Sequence, residues 1–145
     1  MNITEIPFVE KVGITRNSNG LLELSFSESV YNHLRTIHAS AQFTLAETAS
    51  GDFLQSLFPQ LVDKVIPIVR DSHIKFKKPA VKSIVAHASI SSEALQAFND
   101  IFPKKGRASI SVNVEVRDFE GTVTCIGTFN WFIQRSDETQ LVQTP

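Results

Sequence analysis

NHLRTIHASAQFTLAETASG, running from Asn32 to Gly51, opens with turn and capping residues at Asn32, Thr36 and His38 and continues as a helix-compatible run, small and apolar on nearly every side. A helix of that kind has no face for water and belongs inside the molecule. Between Ala39 and Gly51 the only ionisable side chain is Glu47, and the next charge is Asp52. A carboxylate on a buried helix is costly unless paired or hydrogen-bonded, so Glu47 is a candidate for chemistry.

The remaining residues bound what such a helix could serve. The chain has 145 residues, 42% of them hydrophobic, enough to bury one core without metal or disulfide staples, and reads as a single domain over 1–145. A formal net charge of −1 with dispersed charges argues against a nucleic-acid partner, which needs clustered Lys and Arg. Cys125 is the sole cysteine, within an apolar run, and fits a reducing compartment. The first residues carry acids and no apolar stretch of signal-peptide length, and no segment is long enough to span a bilayer. The expectation is a soluble, cytoplasmic protein without a membrane partner.

Ahead of the helix, residues around Pro7 suggest a short helical turn, and Val12–Thr15 and Leu21–Phe26 a hairpin closed at Asn17–Gly20. Ser27–Arg35 reads as a surface loop. The central helix continues to Phe58 and stops at Pro59. Val65–Val69 is an apolar run broken by Pro67, and Ser72–Lys78 is a strand with one wet face that belongs at a sheet edge. Ser83–Ser91 alternates as a half-buried strand. Ser92–Phe102 is a short amphipathic helix stopped by Pro103. Ala108–Val116 and Val123–Ile133 alternate with period two about a turn at Phe119–Gly121, the plainest hairpin in the chain. Residues 136–145 read as a loose tail. One buried helix among five or six antiparallel strands predicts an α+β fold in which a curved sheet wraps the helix.

This order of elements, with Asn32-x-x-x-Thr36-x-His38 followed nine positions later by Glu47, resembles the hotdog-fold thioesterases of the phenylacetic-acid-degradation type. Their poorly characterised relatives share an N-H-x-x-T-x-H-A start and an A-E-T-A helix, matched here by Asn32–Ala39 and Ala46–Ala49. His73–Pro79 resembles the strand that follows that helix. The resemblance implies an acyl-CoA thioesterase. In that family the backbone N–H after the motif histidine polarises the thioester carbonyl, which places Ala39 as donor, and the helix carboxylate, here Glu47, acts as base or nucleophile. Asn32 and His38 match loop residues that order the water, the thioester or the motif turn. The family often has two glycines after the histidine; Ala39 and Ser40 keep both N–H groups and crowd the approach to them.

The resemblance also implies a homodimer or dimer of dimers with sites at the subunit interface, and no cofactor beyond the coenzyme A of the substrate. Each residue has a plainer reading. Glu47 could pair with a partner subunit's Arg or Lys, His38 could only cap the helix, Asn32 could only form a turn, and Thr48 could bond locally rather than bind substrate with Ser40. No His, Cys or carboxylate spacing suggests a metal. Lys75, Lys77, Lys78, Lys104, Lys105 and Arg107 form either a solvated face or a coenzyme A phosphate site. Two further functions remain open: a hydratase or dehydratase, and a non-catalytic acyl-ligand binder.

Overall fold

A computed structural model describes residues 1–137. Its elements are α1 (Pro7–Val12), β1 (Ile14–Arg16), β2 (Leu22–Leu24), α2 (Ala39–Leu57), β3 (Val65–Phe76), β4 (Ile84–Ser89), α3 (Ser92–Lys105), β5 (Arg107–Asp118) and β6 (Val123–Arg135). The strands form one antiparallel sheet in the order β1-β2-β4-β5-β6-β3. Its concave side receives α2, which packs against β2, β4, β5 and β6. This is the hotdog arrangement.

Small residues on α2 make that seat possible. Leu45 and Ala46 are fully buried, and Ala41 and Ala49 nearly so, against inward residues of the long hairpin such as Val112, Val116 and Phe129. Phe129 is inaccessible to solvent and meets the Phe43 ring edge-on at 5.6 Å. Removing it leaves a void between helix and sheet. Phe129→Ala should therefore cost about 3–5 kcal/mol and lower the melting temperature by roughly 10 °C, read by circular dichroism.

The structure departs from the sequence expectations at two prolines. β3 is one twelve-residue strand that passes through Pro67, with a register shift between Val69 and Asp71, rather than an apolar run and a separate strand. It is an edge strand, and on its outer side a missing N–H breaks no ladder bond. Pro103 does not stop α3. The helix runs two residues further, to Lys105, and ends at Gly106, whose φ of 67° suits a residue without Cβ. Pro103 forfeits one backbone bond in the last turn, and burial of Phe98 and Phe102 outweighs it. Phe98 also packs on Phe58, just past the end of α2, with ring centroids 4.9 Å apart. The tail expected from Ser136 is described only to Asp137, and residues 138–145 lie outside the described residues.

Candidate active site

The structure divides the expected site residues into two groups. Asn32, His38, Ala39 and Ser40 gather at the start of α2. Glu47 and Thr48 lie two turns along the same helix, on a cavity that the first group does not line.

At the helix start, Asn32 is spent on its turn. Its Oδ1 accepts from the N–H groups of Leu34 (2.9 Å) and Thr36 (3.0 Å), and its Nδ2 donates to Thr36 Oγ1 at 2.8 Å. His38 is the N-cap: its Nδ1 accepts from Ser40 N–H at 3.0 Å. An accepting Nδ1 leaves the ring hydrogen on Nε2, directed outward. Both N–H groups after His38 are kept, and that of Ser40 is spent on the cap. Ala39 N–H has no acceptor among the described residues, and at the first position of a helix it carries part of the positive end of the dipole. Ala39 and Ser40 are both exposed, so an anion or carbonyl oxygen could reach this amide.

The cavity has a volume of about 640 Å³. One stripe of α2, through Thr44, Glu47, Thr48, Gly51 and Leu54, together with Phe58 just past its end, forms its length. The helix is therefore not covered on all sides, as its composition had suggested. Across from it stand the N-terminal segment, the Pro59–Leu61 turn, the start of β3, and Trp131 and Ile133 of β6. The Trp131 ring rests on Gly51, where an added Cβ would come within 3.2 Å of it, and its indole N–H donates to Ser50 Oγ at 2.9 Å. Sequence reasoning missed Trp131 and the N-terminal segment. The small residue at 51 was the one available signal, since a glycine in mid-helix costs about 1 kcal/mol and implies a close neighbour.

Glu47 is half-buried on this wall and has no ion-pair or hydrogen-bond partner for its carboxylate among the described residues. Burial pushes its pKa up from the ordinary glutamate value. Asp52, the next acid on α2, differs: Arg16 grips it bidentately at 2.7 and 2.9 Å. The neighbouring Thr48 is buried, and its Oγ1 also lacks a partner. A carboxylate and an unsatisfied hydroxyl on one cavity wall are suited to holding and deprotonating a water molecule.

The six cations proposed for coenzyme A phosphates do not converge. Lys77 and Lys78 bond through their N–H groups to Thr124 O, at one end of the hairpin, while Arg107 pairs with Gln134 at the other. Ten strand residues separate these points by roughly 30 Å. Lys77 and Lys78 are at the end nearer Ala39, since Ile37 N–H donates to Ala80 O at 2.9 Å. No helix among the described residues is long and apolar enough to cross a membrane.

Comparison with known proteins agrees with this architecture. No curated protein matches the sequence. A Pseudomonas aeruginosa protein of unknown function, described as a probable thioesterase, superposes with a TM-score of 0.76 at 23% identity, over 92% of this chain and 91% of that one. A Haemophilus influenzae thioesterase gives 0.69 at 15% identity, over 92% and 86%. A Bacillus halodurans protein crystallised with CoA gives 0.64 at 23% identity, over 84% and 72%. At these identities the likeness is one of fold. The family described as "Domain of unknown function (DUF4442)" matches residues 6–133, and the chain belongs to that family.

Proposed function

We propose that the protein hydrolyses an acyl-CoA thioester, with Glu47 as general base and Ala39 N–H as the donor to the carbonyl oxygen. The observation that carries this reading is the half-buried Glu47, unpaired and raised in pKa, beside a cavity of ligand size. The thioesterase descriptions of fold neighbours and the CoA bound to one of them support the substrate class. In the reaction Glu47 takes a proton from water as the oxygen attacks the thioester carbon. Ala39 N–H holds the charge that develops on the carbonyl oxygen, the C–S bond breaks, and the thiolate recovers the proton. Lys77 and Lys78 stand on the side from which the phosphates would approach.

This reading calls for a second copy. Ala39 and Glu47 are eight residues apart on one helix, about 12 Å of rise, too far to act on one carbonyl group. A site that uses both takes Ala39 from one subunit and Glu47 from the other. β3 offers the means of pairing: a twelve-residue edge with Ile66, Ile68 and Phe76 exposed, which long flat edges do not leave uncovered. The expected particle is at least a dimer, and light scattering that finds only monomer would refute the shared site.

Release of free thiol from a panel of acyl-CoA esters tests the activity. Thr48→Val should leave the melting temperature unchanged or raised, because the lost hydroxyl has no partner among the described residues. The same variant should lower kcat about tenfold by releasing the attacking water. Wild-type kcat in Thr48→Val would remove Thr48 from the mechanism. The occupied Ser40 N–H leaves one donor per site, which favours a second reading as a non-catalytic acyl binder. That reading requires acyl-CoA to raise the melting temperature without turnover.

A further inference from the structure

The acyl group of that substrate can be read from how polar and apolar residues are distributed along the cavity, and the inference rests on the thioester reading above. Along α2, Phe43 and the polar Thr44, Glu47 and Thr48 line the first half; Gly51, Leu54, Gln55 and then Phe58, the residue that caps the helix, line the second. Ile6 and Val9 of the N-terminal segment also line the cavity, and Gln55, in its second half, anchors that segment by donating from Nε2 to Met1 O at 2.6 Å. From Glu47 to Phe58, the residue that caps α2, is eleven residues, about 16 Å along the helix axis. The unpartnered Thr48 hydroxyl, within the polar half, places the reacting carbonyl there and the tail beyond it.

The geometry points to an extended, uncharged alkyl chain of roughly a dozen carbons, the number that spans this length with bonds of about 1.5 Å in a zigzag. Among the described residues no Lys or Arg side chain lines the cavity, and its ionisable side chains are the acids Glu47 and Asp63, so a chain ending in a carboxylate is disfavoured. A single aromatic ring would fill the part near Gly51 and leave the Leu54–Phe58 end empty. Leu61, on the turn that follows α2, closes that end.

The test is binding of S-alkyl-CoA thioethers, which cannot be hydrolysed, to the whole protein by titration calorimetry. Affinity should rise about fourfold per added methylene and level off near a dozen carbons. Leu61→Trp should bring the plateau several carbons earlier. Affinity independent of chain length, a maximum at two to four carbons, or a benzyl thioether bound more tightly than the dodecyl one would overturn the inference. So would a plateau that does not move in Leu61→Trp. Because no step is catalysed, the outcomes separate: a chain-length ladder without thioester hydrolysis ends the catalytic proposal and leaves this one standing. Hydrolysis indifferent to chain length with no ladder does the reverse.

Discussion

Glu47→Gln should lower thioester hydrolysis by about 10²–10⁴-fold, the usual contribution of a positioned general base, without disturbing the fold. The amide keeps the shape of the side chain and cannot accept the proton. Stability supplies an independent reading of the same residue. Burial raises the Glu47 pKa, so the folded chain holds this proton more tightly than the unfolded one. The stability this brings is complete in acid, below the unfolded value near pH 4, and is lost as pH rises through the higher folded value. Above that folded value the wild type carries an ionised carboxylate in a poorly hydrated place. The glutamine variant should accordingly melt a few degrees higher there, 1 kcal/mol being worth about 3 °C in a domain of this size. The two proteins should converge near pH 4. Wild-type activity should rise with pH through an apparent value above the ordinary glutamate range, a limb that Glu47→Gln lacks. Full activity in the variant would end the proposed mechanism.

Ala39→Pro should lower the rate by about 10²–10³-fold while leaving the fold as stable as before. Ala39 is the first residue of α2, where proline is well tolerated because that N–H has no intrahelical acceptor. His38 before it, with φ −59° and ψ 139°, already has the conformation that a following proline demands. The substitution thus deletes one hydrogen-bond donor and little else. Ala39→Gly, which keeps the donor, should keep the activity. The pair of variants also tests the shared site. Mixing Ala39→Pro with Glu47→Gln chains yields heterodimers in which one of two sites is intact, so random exchange should restore about a quarter of wild-type activity. No restoration after demonstrated exchange would place both groups in one chain or remove one of them from the reaction.

The elements visible in the sequence were those that local rules govern. α2 begins at its cap and ends one residue short of Phe58, and β5 and β6 show the period of two that a half-buried sheet imposes. Pro67 and Pro103 misled because their cost depends on neighbours that no local window contains: an unpaired sheet edge for one, two buried phenylalanines for the other. Glu47 was conspicuous as a lone charge in an apolar helix. The loss of Ser40 N–H to His38 is a contact over two residues, and a capping histidine made it foreseeable. The cavity was not foreseeable. It depends on which face of α2 the sheet leaves bare, and on an N-terminal segment and a β6 tryptophan that meet only after the chain has folded.

That tryptophan is the sole one in the chain. Its indole lies on Gly51 with the N–H tied to Ser50, and it forms part of the wall against which an incoming tail must slide. The emission of a single indole reports the polarity of its surroundings. Displacement of water from this wall by hydrocarbon should therefore shift its fluorescence to shorter wavelength, giving the protein a built-in optical gauge of occupancy that needs neither label nor turnover.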